Sequence, residues 1–301
     1  MPRTITVGLD GSPESRAAAE WAAREAQLRG LPVKLVQAWE AVPEPMARPP
    51  LPAAGTWRHG TGKVPRETAD GLRLRHPGVE VTTEHVTGRP AEVLVRAAKD
   101  AELLVLGSRG LGGAGGFLPG SVGLAVVAYA ERPVVLIRAG EQAGDEQEKD
   151  QAGTRSTAAA FRPVVLGLDA GRPDEEPLGF AFDAAARRNA PLRVVHGWNP
   201  PPYCLYGMAL EPAVEREVVR GDAAIVTEVL RPWRQKFPDV EVVKESCYGS
   251  PSPVLIDASG EASLVVVGRR VRRSSAGARI GPVTHAVLHH ATAPVAVVPH
   301  D

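Results

Sequence analysis

The chain has few cysteines, few aromatic residues and no excess of charge of either sign. Its only cysteines, Cys204 and Cys247, form no CxxC pair, so we expect a reducing, cytoplasmic setting rather than a disulfide framework. Lys plus Arg and Asp plus Glu number 35 each, so no charge imbalance points to a nucleic-acid or anionic-membrane partner. No apolar run reaches the roughly 18 residues of a membrane span, and we expect neither a signal peptide nor a spanning helix.

An internal repeat divides the chain. Val7-Gly8-Leu9-Asp10 returns as Leu166-Gly167-Leu168-Asp169, 159 positions later. Further matches, at offsets of 159 and 161 positions, keep the same order along the chain, which indicates a tandem duplication of one domain. These matches join 37–39 to 196–198, 88–90 to 249–251, 103–107 to 264–268, and 133–137 to 294–298.

The repeat fixes the predicted domain boundaries. With 301 residues and 44% hydrophobic content, the chain suits about two domains, each able to bury a core. We predict domains at 1–139 and 162–301. Residues 140–161 carry charge, Gly, Gln and Ser with almost no large apolar side chain, which is typical of a linker.

Within each copy, apolar runs alternate with helical patterns, which predicts a doubly wound α/β domain with a five-stranded parallel sheet. Ser12 and Pro13 are suited to open the first helix, and Gly30 to end it. Residues 40–62, rich in Pro, Gly and Ala, predict a long functional or disordered loop. In the first copy the predicted strands are 4–9, 33–39, 79–86, 103–106 and 134–137, and the predicted helices are 13–28, 64–75, 91–98 and 122–130.

A glycine pattern after the fourth predicted strand indicates a phosphate site. It reads Gly107, Gly110, nine residues, then Gly120 and Ser121 at the start of a helix. Glycine permits close backbone approach and positive φ, and a helix N-terminus attracts phosphate. In strand order 3-2-1-4-5, the first and fourth strands adjoin, and ligands bind outside their carboxyl ends. We therefore expect Asp10 and Gly107 to face one crevice.

These residues resemble the nucleotide motif of the universal stress proteins, specifically the actinobacterial type with two such domains in tandem. The resemblance covers nearly the whole chain outside the linker. It implies two Rossmann-like domains related by a pseudo-twofold, pairing of the fifth strands, and a homodimer of chains. It also implies that the first copy binds ATP, alone or with Mg²⁺. The implied ATP contacts are Gly8, Asp10, Ala38, Gly107, Arg109, Gly110, Gly120, Ser121 and Val122.

The second copy departs from this motif. It keeps Asp169, Gly268 and Gly281, but Val271 stands at the second glycine and Pro282 at the serine. Valine disfavours positive φ, and proline removes an amide hydrogen from the helix start. We expect one good site per chain and a weaker or altered second one. The arginines that remain there to attract an anion are Arg269, Arg270, Arg272 and Arg273.

Three functions remain open at this stage. The sequence shows no evident general base or metal-holding carboxylate pair at the glycine loop. That favours a nucleotide-dependent regulator with an unidentified protein partner over a slow ATPase or nucleotidyltransferase. A nucleotide-free scaffold is the third reading, since the glycines also fit a flexible turn and Asp10 also fits a turn before the Ser12 cap. His285 and His289 lie four apart on a predicted helix, but nothing in the sequence completes a metal site around them.

Overall fold

The computed structural model divides the chain into two compact units, Met1–Ala143 and Gly144–Asp301. We call them unit 1 and unit 2 and describe each by itself. The residues that the structure describes are 3–40, 63–110, 117–118, 121–140, 143–148, 160–198, 212–271 and 279–301. The predicted loop at 40–62 therefore lies outside the described residues, except for its first.

Unit 1 is a doubly wound domain. Its parallel sheet has the order β3-β2-β1-β4-β6, and the short β5 pairs antiparallel with the end of β4. The predicted strand order 3-2-1-4-5 is confirmed. The elements are β1 Thr4–Gly8, α1 Pro13–Arg29, β2 Val33–Trp39, α2 Lys63–Arg75, β3 Val81–Thr87, α3 Pro90–Lys99, β4 Ala101–Gly110, β5 Phe117–Leu118, α4 Ser121–Tyr129 and β6 Val134–Arg138.

Unit 2 repeats the architecture. Its strands are parallel and follow the order β9-β8-β7-β10-β11, which is the order of unit 1 without a counterpart to β5 among the described residues. The elements are β7 Val164–Leu168, α5 Glu175–Arg188, β8 Leu192–Trp198, α6 Pro212–Lys236, β9 Val242–Tyr248, α7 Ser252–Ala258, β10 Leu264–Arg270, α8 Pro282–His290 and β11 Val295–His300.

Helix α1 begins and ends where its sequence predicts. The Ser12 hydroxyl accepts a hydrogen bond from the Ser15 amide at 3.1 Å, and Pro13 occupies the first turn. Gly30 then adopts the left-handed conformation at φ 64° and ends the helix. The face between these caps buries Trp21 and a series of alanines against the sheet. This packing fixes the helix N-terminus beside the ends of β1 and β4.

The central strands carry almost unbroken apolar sequence because helices cover the sheet on both faces. Strand β1 has the burial pattern of an interior strand, and in β4 Leu103, Leu104 and Val105 are fully buried. Strand β4 is longer than predicted. It runs through Gly107 to Gly110, because Gly107 still pairs with Ile137 of β6 and Gly110 with Phe117 of β5.

Residues 144–148 and 160–161 of the predicted linker belong to unit 2. Gln147 pairs with Phe161 in an antiparallel bridge, and the Arg162 amide donates to the Glu146 carbonyl at 2.8 Å. Buried Arg188 of α5 lies 4.0 Å from the Glu146 carboxylate, with its guanidinium 5.7 Å from the centre of the Phe161 ring. Composition predicted a linker over the whole segment, but these tertiary contacts have no signature in composition.

Candidate functional site

A cavity of about 320 Å³ lies outside the carboxyl ends of β1 and β4 in unit 1. This is the switch point at which doubly wound sheets bind ligands. The cavity brings together six of the residues implied by the resemblance: Gly8, Asp10, Ala38, Gly107, Ser121 and Val122.

One side of the cavity is apolar. Val36 and Ala38 contribute from β2, Pro90 and Leu94 from α3, and Leu106 from β4. Gly8 makes this wall possible, because a Cβ at Gly8 would lie 2.5 Å from Leu106 Cδ2 and 2.9 Å from Leu94 Cδ2. These leucines therefore close over the end of β1 and form a surface suited to a flat, largely apolar group.

The other side is polar and is formed by two helix starts. Ser121, Val122 and Gly123 belong to the first turn of α4, while Glu14 and Ser15 belong to the first turn of α1. First-turn amides have no partner within their helix and attract negative charge. Because Glu14 lies on the same surface, the two helix starts are not equivalent. The start of α4 brings no acidic residue in its first turn and is the better place for an anion.

Asp10 lies at the rim, where its carboxylate organises the turn before α1. Its Oδ1 accepts hydrogen bonds from the Ser12 amide at 2.9 Å and from the Ser12 hydroxyl at 2.5 Å. Partial loss of hydration raises the pKa of Asp10, but the bonds from Ser12 outweigh this, and its pKa lies below the usual range. Asp10 thus serves the turn and also presents an ionised carboxylate to the cavity.

Gly107 borders the cavity as expected, but it does not adopt the positive φ that is one reason for a glycine in a phosphate loop. It lies in β4. A Cβ at this position would lie 2.5 Å from the Glu14 carbonyl carbon and 2.6 Å from the Ser15 nitrogen. Gly107 is therefore required for close packing of α1 on β4, a structural reason for the glycine that needs no phosphate.

The remaining predicted contacts fall at the end of β4 or beyond. The backbones of Arg109 and Gly110 form the last part of that strand and pair with β5, whereas Gly120 lies outside the described residues. Glu14, Ser15, Pro90 and Leu94 line the cavity but were not predicted as contacts. The sequence contained a signal for Pro90, because this residue belongs to the repeated segment 88–90. It contained none for Glu14 and Ser15, which resemble ordinary residues of a first helical turn.

Comparison with known proteins places this fold in a family. The model of the universal stress protein family matches the chain twice, over residues 1–138 and 160–299. This chain belongs to the universal stress protein family. A universal stress protein of Mycolicibacterium smegmatis is 33% identical over 305 residues, covering 98% of this chain and 96% of its own. One from Mycobacterium tuberculosis is 32% identical over 305 residues, covering 97% and 95%.

A solved structure shows the same fold. The universal stress protein from Archaeoglobus fulgidus superposes with a TM-score of 0.69 at 15% identity, covering 99% of this chain and 98% of its own. The family resemblance drawn from the glycine motif is confirmed. No helix in the described part of this universal stress protein combines the length and the apolar content needed to cross a membrane.

Unit 2 of this universal stress protein has a different surface at the matching place. Gly197 stands where unit 1 has Ala38, and a Cβ there would lie 2.5 Å from the Gly249 carbonyl oxygen and 2.6 Å from Pro251 Cδ. The turn before α7 therefore lies directly against β8. In unit 1 the corresponding Ala38 and Pro90 both border the cavity.

The predicted second-site residues keep their places but have other neighbours. The Asp169 carboxylate accepts a hydrogen bond from the Arg172 amide at 3.2 Å. A Cβ at Gly268 would lie 2.8 Å from the His300 side chain, and Gly281 is the N-cap of α8. Pro282 follows at the first helical position, so one amide hydrogen is missing, as the sequence predicted.

The histidine pair of α8 is adjacent in space. The rings of His285 and His289 lie 4.3 Å apart between centroids, as expected for positions four apart on a helix. Within the described residues, no group of three or more His, Cys, Asp or Glu side chains is arranged to hold a metal ion.

Proposed function

We propose that this universal stress protein binds one adenine nucleotide, ATP, in the unit 1 cavity and acts as a nucleotide-dependent regulator. The observation that carries the proposal is the cavity itself, in which an apolar wall faces a helix start with no acidic first-turn residue. A nucleotide has the same division into a flat base and an anionic phosphate group. The base would lie against Val36, Ala38 and Leu94, and the phosphates beside Ser121 and Val122.

The carboxylates favour binding over turnover. Asp10 has a lowered pKa and already accepts two hydrogen bonds from Ser12, so it is a weak proton acceptor near neutral pH. The Asp10 carboxylate can accept further hydrogen bonds, and the hydroxyl groups of a ribose are suitable donors. Asp10 and Glu14 both border the cavity, and hard carboxylate oxygens are suitable partners for Mg²⁺ carried by the phosphates. We therefore propose a regulator in the stress or dormancy response, not a fast catalyst.

Regulation would follow from the ligand's preference for one conformational state. ATP that contacts both the apolar wall and the start of α4 would favour the conformation in which both can contact it at once. This shift would change the surface that the protein offers to a protein partner. Segment 40–62, which follows β2 directly, is the part of the chain that we expect to respond. The low cysteine content and balanced charge fit action in the cytoplasm, and we propose a homodimer as the working form.

The test is calorimetric titration of ATP into nucleotide-stripped protein carrying Val122→Glu. Val122 is 36% exposed and lines the cavity, so a carboxylate there should repel phosphate without disturbing the core. We expect at least tenfold weaker binding, which is about 1.4 kcal/mol. The matched control is Val283→Glu, the same change at the corresponding position of unit 2, which should bind like wild type.

Three outcomes contradict the proposal. Equal weakening in both variants would mean that the added charge acts without regard to the site. Absence of saturable ATP binding in the wild type would favour the nucleotide-free scaffold. Steady release of phosphate or AMP, abolished by Val122→Glu, would make the protein an enzyme.

A further inference from the structure

A buried histidine and a buried aspartate contact each other in unit 2. His196 lies in β8, two residues before its end, and Asp222 lies in α6. The His196 Nε2 atom is 3.1 Å from Asp222 Oδ1, and the two side chains are only 9% and 11% exposed. The repeat places Gln37 of unit 1 at the position of His196, and an amide side chain does not titrate. The pair is therefore a feature that the two copies do not share.

Both ring nitrogens of His196 face oxygen atoms. Nδ1 lies 2.9 Å from the carbonyl oxygen of Leu168, at the end of β7, while Nε2 faces the Asp222 carboxylate. A carbonyl oxygen and an ionised carboxylate only accept hydrogen bonds, whereas a neutral imidazole has a single N–H to donate. The two contacts together require one proton more than a neutral histidine and an ionised aspartate possess. The geometry thus favours a pair that has taken up a proton, on the ring or on the carboxyl group.

The Asp222 carboxylate depends on this proton. Its Oδ2 is buried and accepts no hydrogen bond from the described residues. A buried carboxylate with so few donors is costly unless an opposite charge lies beside it. After loss of the proton the carboxylate would adjoin a neutral ring, and Nδ1 would have to turn from the Leu168 carbonyl to the Ala170 amide, 3.4 Å away. Deprotonation therefore weakens the contacts that join α6 and the turn after β7 to the end of β8.

Other charged groups near the pair have contacts of their own. Lys244 of β9 lies on the same face of the sheet as His196, and its ammonium donates to the Thr227 hydroxyl of α6 at 2.8 Å. In the turn after β7, the Asp169 carboxylate accepts from the Arg172 amide at 3.2 Å, and the Arg172 side chain is exposed. These contacts leave Asp222 as the charged partner of the ring.

Two further titratable groups belong to elements packed beside the pair. Asp174 caps α5 and lies 3.4 Å from His300 Nδ1. On the other face of β9, burial raises the pKa of the Cys247 thiol, and the negative charges of Glu245 and Asp222 raise it further. At physiological pH the thiol therefore adds no charge that competes for the proton.

We propose that unit 2 is a proton sensor, in which the His196–Asp222 pair binds one proton and thereby holds α6 against the ends of β7 and β8. Histidine is the usual residue for a switch in the cellular pH range. The folded pair keeps a proton that the unfolded chain releases as the pH rises. The stability contributed by the pair is therefore present in acid and is lost as the pH rises. This inference concerns unit 2 and does not depend on the proposed ATP site.

The experiment compares variants of the full chain, without nucleotide, by urea unfolding followed by circular dichroism at pH 6 and pH 8. His196→Gln installs the residue that unit 1 has, and Asp222→Asn provides an amide oxygen to which a neutral ring can donate. Between these pH values we expect the folded-to-unfolded ratio of the wild type to fall about fivefold more than that of either variant. The matched control is His85→Gln, at an exposed position of β3, which should keep the pH dependence of the wild type.

Each other outcome is decisive. An equal fall in the wild type and in His196→Gln overturns the proposal, as does an equal loss of the pH dependence in His85→Gln. If the buried variants fail to fold, nitrogen NMR of the wild type labelled at histidine decides the question. We expect the ring signals of His196 to report the loss of one proton between pH 6 and pH 9, and signals that stay constant overturn the sensor. ATP takes no part in these measurements, so the two proposals fail separately.

Discussion

Unit 1 and unit 2 bring the same strand ends together but leave different surfaces beside them. Unit 1 combines Ala38, Pro90 and Leu94 into an open apolar wall. In unit 2 the turn before α7 closes directly on Gly197. The topology of a doubly wound sheet therefore fixes where a ligand can bind, while a few residues at the rim decide which part of the ligand finds a surface. Duplicated domains can therefore keep the same fold while their binding surfaces diverge.

We expect the largest effect on the free energy of unfolding at Gly107, and a much smaller one at Gly268, its counterpart in unit 2. Gly107→Ala places a Cβ 2.5 Å from backbone of α1, and we expect a loss of about 3 kcal/mol in the free energy of unfolding, at the upper end for overpacking. Gly268→Ala meets chiefly the His300 side chain, which can rotate away, so its cost should be below about 1 kcal/mol. Urea unfolding followed by circular dichroism measures both.

Equal losses of unfolding free energy in these two variants would contradict the difference between the units. They would mean that α5 lies as close to β10 as α1 does to β4. Since Gly107→Ala disturbs packing, loss of ATP binding in that variant says nothing about phosphate contact, and Val122→Glu is the better probe.

We expect a medium effect on the free energy of unfolding at Gly197 and at its counterpart Ala38, beside which the base of ATP would lie in unit 1. Gly197→Ala introduces a Cβ 2.5 Å from the Gly249 carbonyl oxygen, and we expect it to lower the free energy of unfolding by about 2 kcal/mol. The reciprocal change Ala38→Gly adds only backbone freedom, at a cost of roughly 0.5–1 kcal/mol. Thermal or urea unfolding measures both variants. If Gly197→Ala leaves the free energy of unfolding unchanged, the turn before α7 does not lie directly against β8.

The smallest effect concerns the turn at Asp10. Ser12→Ala removes the N-cap of α1, and we expect a loss of about 1 kcal/mol at pH 7. The folded state lowers the pKa of Asp10, and the variant removes the hydrogen bond that the Ser12 hydroxyl donates to this carboxylate. That bond stabilises the fold above the unfolded carboxyl pKa of about 3.9, and its contribution is lost as the pH falls through the lower folded value. The difference between wild type and variant should therefore shrink in acid.

Unit 2 supplies the control for that experiment. Asp174 caps α5 through the Glu176 amide at 3.0 Å, so Asp174→Ala should cost a similar amount at pH 7. A Ser12→Ala loss that stays constant from pH 7 to pH 3 would mean that the hydroxyl acts on the helix alone, without stabilising the Asp10 carboxylate.

Much of the fold could be predicted because its signals are local. Ser12, Pro13 and Gly30 mark the ends of α1 by their own backbone preferences, and buried parallel strands require apolar runs of the kind seen before Gly107. The repeat of residues 7–10 as 166–169 predicted the second unit. The strand order then followed from the usual arrangement of a doubly wound sheet.

The sequence could predict which residues border the site only where that follows from a residue's position at the end of a strand. The strand ends predicted that Asp10 and Gly107 face one crevice, and both border the cavity, whereas Ala38 was implied only by the family resemblance. Glu14 borders the cavity because α1 packs closely on Gly107, a contact between distant segments that no local pattern encodes. The closure of Gly197 by Gly249 and Pro251 depends in the same way on tertiary packing.

The most direct test of the account is the stoichiometry of ATP bound to the wild-type chain, measured by equilibrium dialysis with labelled ATP at saturation. We expect one ATP per chain, because among the described residues unit 1 alone combines an apolar wall with a helix start free of acidic residues. Two ATP per chain would contradict the division between the units, and none would contradict the proposed function.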